Sequence, residues 1–521
     1  MTPLSTILTN SELARANFNY FQLLGVKTVC VCPGARNSPW IELLENEPFF
    51  EVLRFFDERA AGFFALARAK ETLSPVAVIT TSGTAVGELL PAMMEAYYSA
   101  SRLIALTADR PKRFRGTGAP QSCEQNQIFG VYARTSLDID RESVPSNAHS
   151  IEFPFHLNVC FEEPLPSHES NRIVKKEESA TFFKPGKFPL IILGELNLVE
   201  AEQLLPALIH SGLPVVTEAL SQLRENSELD SLRIRPHREI WRESMEASYP
   251  IDSVIRFGGV PTLRFWRDLE VQTEASRIPV TSVSRLPFRG LPRASAFSEE
   301  ASIWLEKQNF KNKDDHEYIA ALARFKTKQD QRFLLLEKAL EKFPQSEPAW
   351  IRALSKIIPS GSSIYLGNSL PIREWDLAAV THSKQFSIRG NRGLNGIDGQ
   401  ISSFFGGLKS NCQNWAIIGD LTALYDLSAP WILNQLKTAS NFKIVIVNNS
   451  GGKIFDRIFK SSFYTNQHSL GFEHWAHQWG LRYEKHGDST LIKSLDPKTQ
   501  VIEIIPHPEQ TESFWNAWEA K

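Results

Sequence analysis

The chain reads as an α/β protein of three doubly wound parallel-sheet domains in series. Apolar, β-branched runs of strand length recur in three clusters, each run followed by a segment with helical spacing of its apolar residues. Strands alternating with helices imply parallel sheets covered on both faces. Two polar stretches separate the clusters, and 521 residues suit about three cores rather than one. The expected domains are residues 1–180, 185–335 and 345–521.

In the first block "VKTVCVCPG", "EVLRFF", "PVAVITTSG" and "RLIALTADR" read as buried strands. The charged, proline-broken segment from Glu162 to Lys184 reads as a linker. The second block carries "FPLIILGE", "LPVVTEA", "SVIRFGG" and "IPVTSVS". From about Ser298 to Lys342, dense Lys, Glu, Asp and Gln at helical spacing predict a helical connection. The third block carries "SSIYLGNS", "WAIIGDL", "FKIVIVNN" and "QVIEIIP".

Composition excludes several classes. Lys and Arg number 57 against 59 Asp and Glu, a net charge of −2, so no global field favours nucleic acid or an anionic membrane. Five cysteines without a CxxC pair fit a reducing compartment without a zinc site. The N-terminal stretch lacks the basic and apolar regions of a secretory signal. No run approaches the ~18 apolar residues of a membrane span. A cytoplasmic protein is expected.

In open parallel sheets, ligands bind beyond the carboxyl ends of the strands. Gly34 to Ser38, Ser82-Gly83-Thr84, Asp109-Arg110-Pro111, Asn368-Ser369, Gly419-Asp420 and Asn448-Asn449 all sit at such ends. Turns and caps account for any one of them equally well. Two belong together: Asp420 in "IIGDL" and Asn449 in "VNNSGG" lie 29 positions apart, which suits one β-α-β crossover. Magnesium takes one or two carboxylates plus phosphate oxygens and water. Asp420, the amide oxygen of Asn449 and the Gly451 carbonyl form the protein half of such a shell, with glycines that let a diphosphate approach. A lone "NN" reads as an Asx-turn; paired with "GDL" it reads as a metal site.

The "GDL…NN" pair resembles the thiamine-diphosphate and Mg²⁺ signature of enzymes such as acetolactate synthase and pyruvate decarboxylase. "CPGARNSPW", "FDERAAGFFALARAK", "VAVITTSGTAVGELLPAMMEA", "LTADRPKRFRGTGAPQ", "GNSLPIRE", "NRGLNGIDG", "GDLTALYDL" and "VNNSGGKIF" are similar, in order and spacing, to the MenD family. Its members are the 2-succinyl-5-enolpyruvyl-6-hydroxy-3-cyclohexene-1-carboxylate (SEPHCHC) synthases of menaquinone biosynthesis. The likeness is strong in the first and third blocks and poor in the second. It implies a pyrimidine-binding first domain, a degenerate middle domain and a third domain for diphosphate and metal, Mg²⁺ or Mn²⁺.

The resemblance implies roles residue by residue. Glu58 matches the carboxyl group that activates the cofactor's aminopyrimidine; spacing alone reads it as an acid in a helix's first turn. Ile397 matches the apolar residue that bends the cofactor, and otherwise reads as a core isoleucine. Cofactor contacts are implied for Ser82, Gly83, Thr84, Gly419, Asp420, Leu421, Asn449, Gly451, Ile454 and Phe455. The implied substrates, 2-oxoglutarate and isochorismate, are dicarboxylates, for which Arg is the fitting partner. Arg36, Arg110, Gln121, Ser369, Arg373 and Arg392 match substrate-contacting positions, and Ile454, Phe455 and Ile458 an apolar wall. A homodimer or homotetramer with sites at subunit interfaces is also implied.

No histidine lies between Ser101 and Gly130, where pyruvate-decarboxylase-like enzymes carry a pair, and no GxGxxG in the middle block supports FAD. The chain departs from the family at Ala35, at Pro120 in "GAPQ", and at Phe265 after Arg264 in "PTLRFW". These departures leave open another thiamine-diphosphate-dependent 2-oxoacid decarboxylase or carboligase. A non-catalytic scaffold is the third reading, opposed by Glu58, Asp420 and Asn449 occurring together.

Overall fold

The structure, a computed structural model, describes residues 8–140, 151–162, 186–269, 278–284, 289–308, 310, 315–382, 384–436, 441–456, 459, 461, 463–488 and 496–519. The expected linker falls outside these, apart from Glu162.

Among the described residues, three six-stranded sheets follow one another along the chain, and every pair of neighbouring strands is parallel. The first holds β1 (Thr28–Val31), β2 (Glu51–Arg54), β3 (Val76–Thr80), β4 (Leu103–Asp109), β5 (Thr135–Asp140) and β6 (Phe155–Cys160). The second holds β7 (Pro189–Leu193), β8 (Val215–Thr217), β9 (Arg233–Ile234), β10 (Ser253–Phe257), β11 (Val280–Val283) and β12 (Ser295–Phe297). The third holds β13 (Ser363–Leu366), β14 (Ser387–Arg389), β15 (Asn414–Gly419), β16 (Phe442–Val447), β17 (Tyr483–His486) and β18 (Val501–Ile504).

The first sheet runs β2-β1-β3-β4-β6-β5, and the third repeats that order as β14-β13-β15-β16-β18-β17. The second differs: β12-β11-β10-β7-β8-β9, the order of a dinucleotide-binding sheet. The strand order reverses between β1 and β3, between β10 and β7, and between β13 and β15. Such points are where open parallel sheets ordinarily place a ligand crevice, because the exit loops run to opposite faces.

Successive strand residues feed opposite faces. Val29 and Val31 join the core with Trp40 and Phe161, whereas Cys30 and Cys32 join that with Ala61 and Met93. Likewise Val445 and Val447 enter one core and Ile444 and Ile446 another. Both faces are therefore buried, as the unbroken apolar runs require.

Twelve expected strands are present, and six more were not anticipated. β9, β12 and β14 are two or three residues long, too short to show a period. β5 and β17 are half-exposed edge strands with polar faces, and β6 carries buried His156 and Asn158 amid its apolar residues. β2, expected to be buried, is an edge strand with Glu51 and Arg54 exposed. The expected helical connection contains a helix at Ala301–Glu306 and a 27-residue helix at His316–Lys342, capped by Asp315.

Contacts group the chain into two compact units: residues 1–177 with 394–396 and 455–467, and residues 178–393 with 397–454 and 468–521. In the first unit, Phe459 and Tyr464 stack with ring centroids 4.1 Å apart at 9°. They lie within the core that holds Trp40, Ile41 and Phe161.

Candidate active site

In the first unit, β1 runs into Pro33-Gly34-Ala35-Arg36. Buried Asn37 ties this loop down, its Oδ1 accepting from Gly34 N at 2.9 Å and its Nδ2 donating to Cys32 O at 2.9 Å. A Cβ on Gly34 would stand 2.4 Å from the Thr81 Cβ after β3, so the two exit loops touch at the switch point only because Gly34 lacks one. Glu58 opens the helix Glu58–Thr72, capped by Asp57 accepting from Ala60 N at 2.9 Å. Burial, and after it the Glu58 carboxylate, push the Cys32 thiol up.

Gly83 adopts φ +91°, which favours glycine, and its N–H donates to Gln125 Oε1 at 2.9 Å. A polar network under the loop holds Gln125 in turn. Gln125 Nε2 donates to Ala108 O and Asn158 Oδ1, and Asn158 Nδ2 to Asp109 and Asp138. Arg115 also donates to both aspartates. Ser82 is buried and Thr84 starts the next short helix.

Gln121, at φ +53°, lies beside this loop, its Cα 3.4 Å from where a Gly83 Cβ would sit. Arg110 is buried, lies 4.0 Å from the Phe114 ring centroid, and donates to Pro120 O at 3.3 Å. The Pro120 departure thus concerns a residue whose backbone carbonyl makes the contact, which any residue supplies. Arg36 donates to Phe161 O at 3.4 Å, and Phe161 N to Asp109 O at 3.0 Å. These bonds link the loops that carry Arg36 and Arg110. Ala35 packs on the apolar cluster around Phe161.

In the second unit, β13 ends at Gly367-Asn368-Ser369. A Cβ on Gly367 would meet Ile418 Cα at 3.0 Å, the third-sheet counterpart of Gly34 against Thr81. Buried Asn368 takes Arg392 Nη1 on its Oδ1 at 2.5 Å and donates to Asn391 O at 2.8 Å. Ser369 stands at φ +71°, where strain is costly for a residue with a Cβ. Its carbonyl accepts from Arg373, one turn into the helix Leu370–Ala378. Ser369, Arg373 and Arg392 are therefore drawn together. Burial and neighbouring Arg392 push the Arg373 pKa down to about 9, which leaves it charged at neutral pH.

Asp420 begins the helix after β15 and is 2% exposed. Its Oδ1 accepts from Leu421 N at 2.7 Å and its Oδ2 from Gly451 N at 2.9 Å; His468 Nε2 lies 3.2 Å from Oδ2. Asn449 Nδ2 donates to Glu347 Oε2 at 2.9 Å and Oε1 at 3.2 Å, while its Oδ1 is buried with no hydrogen-bond partner among the described residues. The Gly451 carbonyl accepts from Lys453 N at 2.9 Å, leaving one lone pair. Hard oxygens, one carboxylate and one orphaned amide oxygen fit a small divalent cation. Ile397 is half-exposed in the loop after Arg392, and Ile454 and Phe455 form a single 3₁₀ turn with Lys453. Ile458 lies outside the described residues.

Several neighbours escaped the sequence reading. The loop after β8 grips the third sheet. Ala219 N donates to Asp376 Oδ1 at 2.6 Å, and Gln222 bonds both backbone groups of Ile388 in β14. Arg224 donates to the carbonyls of Trp375, Asp376, Ala379 and Val380, closing the end of the helix that carries Arg373. Behind the arginines, burial pushes Glu218 up, although Thr262 and Leu263 N–H groups bond it. Burial likewise pushes Glu347 up, opposed by the bond from Asn449. Three-residue strand β8 gives no warning of such a loop. Phe265 is a buried core residue of the second sheet, and Arg264 pairs outward with Asp268 at 2.7 Å.

The second sheet's own switch point is closed. A Cβ on Gly194 would meet Gly259 O at 2.1 Å, and Gly259 N donates to Glu195 O at 2.9 Å.

Comparison with known proteins matches residues 12–128 to the thiamine pyrophosphate enzyme, N-terminal TPP binding domain, family. The SEPHCHC synthase of Bdellovibrio bacteriovorus is 40% identical over 98% of this chain and 99% of its own. That of Akkermansia muciniphila is 36% identical over 94% of this chain and 95% of its own, and that of Lysinibacillus sphaericus 29% over 88% of each. The chain belongs to the 2-succinyl-5-enolpyruvyl-6-hydroxy-3-cyclohexene-1-carboxylate synthase family of thiamine-diphosphate-dependent enzymes.

Proposed function

We propose that this chain joins 2-oxoglutarate to isochorismate with loss of CO2, forming SEPHCHC in menaquinone biosynthesis. The observation that carries the reading is the rim of the third sheet. There the Asp420 carboxylate is bonded to the Gly451 amide, and the Asn449 amide oxygen is buried without a partner. Asp420, Asn449 and the Gly451 carbonyl hold Mg²⁺ or Mn²⁺. Ser82, Gly83, Thr84, Ile397, Gly419, Leu421, Ile454 and Phe455 hold thiamine diphosphate. When bound, the cofactor supplies the carbon centre that accepts electrons as CO2 leaves the 2-oxo acid. Glu58 holds a proton at its carboxyl group, toward the cofactor's pyrimidine. Arg36, Arg110, Arg373 and Arg392, with Gln121 and Ser369, bind and orient the substrate carboxylates. Ile458 completes the apolar wall.

The assembly is a homodimer or homotetramer with sites at subunit interfaces. Exposed Phe63 and Phe64 on the Glu58–Thr72 helix and Met94 and Tyr98 on the Leu90–Tyr98 helix support this. The location is the cytoplasm, which five free cysteines support. Among the described residues no helix is long and apolar enough to cross a membrane.

Incubation with thiamine diphosphate, Mg²⁺, isochorismate and 2-oxoglutarate, read by mass, is expected to give the adduct. Turnover of a different 2-oxo acid with no adduct would transfer the chain to an acetolactate-synthase-like reaction.

A further inference from the structure

Glu347 is the first residue of the helix Glu347–Ile357 and is 2% exposed. Its backbone N–H is satisfied by Thr511 Oγ1 at 3.1 Å, and both its carboxyl oxygens accept from Asn449 Nδ2. When ionised, the Glu347 carboxylate offers lone pairs and no proton, so in that state only the nitrogen end of the Asn449 amide can face it. The oxygen end must then face away, and that oxygen is buried with no partner among the described residues. Without Glu347, an amide at this position has two orientations; with it, one. Asn448, the preceding amide, is engaged elsewhere, its Nδ2 donating to Glu503 Oε1 at 2.6 Å and to Leu470 O at 2.8 Å.

We infer that Glu347 is a positioning residue, whose carboxylate orients the Asn449 amide so that its oxygen points at the metal ion. The inference rests on the metal-site reading above. Partners that orient metal ligands typically contribute 10–100-fold in metal affinity, although they never touch the ion.

The test is Mn²⁺ binding to the full-length protein at saturating thiamine diphosphate, followed by electron paramagnetic resonance. Glu347→Gln is expected to weaken Mn²⁺ binding by about 10-fold or more, with turnover recovered at saturating Mn²⁺. Unchanged affinity would overturn the inference. A swapped pair, Glu347→Gln with Asn449→Asp, again sets an amide nitrogen against a carboxylate. It should bind Mn²⁺ more tightly than Asn449→Asp alone, in which two carboxylates face each other. Equal or weaker binding by the swapped pair also overturns the inference, and this arm stands if Glu347→Gln alone fails to fold. The underlying reading has its own control: Asp420→Ala must lose Mn²⁺ binding. If Asp420→Ala binds as the unaltered protein does, the metal site itself is misassigned.

Discussion

Beside the switch point of the third sheet, the loops after β15 and β16 leave Asp420 bonded to backbone amides and Asn449 with an amide oxygen that has no partner among the described residues. At that of the second sheet, the loops after β7 and β10 fill the crevice with each other, Gly194 against Gly259 and Glu195 against Gly258 and Gly259. The contrast teaches that strand order locates a possible site and no more. The second sheet has the order associated with dinucleotide binding, yet its crevice is packed shut. Its contribution is exported instead, through Ala219, Gln222 and Arg224, to the helix and strand that carry Arg373 and lead to Arg392.

The contrast is open to direct attack. The largest effect is expected at the rim of the first sheet: Glu58→Gln should lower turnover by about 10²–10⁴-fold while thiamine diphosphate still binds. Calorimetric titration beside steady-state rates checks this, and near-normal turnover would remove Glu58 from the chemistry.

A pair of glycine substitutions separates an open crevice from a closed one. Gly194→Ala drives a Cβ into Gly259 O and should cost about 3 kcal/mol of stability without altering cofactor affinity. Gly83→Ala strains a φ of +91° beside Gln121 at about 1–3 kcal/mol, and should weaken cofactor binding. Denaturant unfolding and cofactor titration of both variants decide the matter. If Gly194→Ala moved cofactor affinity and Gly83→Ala did not, the contrast would be reversed.

The smallest effect concerns the network that holds the Gly83 loop. Thr107 Oγ1 donates to Asn158 Oδ1 at 2.8 Å and so accepts from His156 Nε2 at 2.9 Å. Burial holds His156 down to about 3, with Asp138 opposing. The folded-state value lies below the unfolded one of roughly 6.5. The stabilisation is therefore fully present above that pH and is lost as pH falls from there toward 3. Between pH 7 and 5 the loss should be about 2 kcal/mol, seen as a lower urea midpoint. His156→Gln should flatten that slope; an unchanged slope would place the acid sensitivity elsewhere.

Much of this was legible in the residues. Gly, Asn, Asp and Ser recur at the tips of the unbroken apolar runs, where the strands exit, and the "GDL…NN" pair predicts neighbouring loop ends for Asp420 and Asn449, which the bond from Gly451 N to Asp420 bears out. What stayed hidden has physical causes. Two-residue and three-residue strands carry no period. Arg110 uses a backbone carbonyl at Pro120, which no side-chain pattern reports. Glu347, 102 positions before Asn449, looks like any acid at a helix start. Gln222 and Arg224 act on the third sheet from the second, a pairing that only tertiary structure displays.

The return of residues 455–467 to the first unit has a consequence for how the protein is made. Translation proceeds from the N-terminus, and domains ordinarily fold as they emerge. Here the stacked rings of Phe459 and Tyr464 belong to a core whose other members end at Phe161. The ribosome must therefore finish nearly the whole polypeptide before the earliest-made portion can close. A fragment cut after the first sheet would lack part of its own interior.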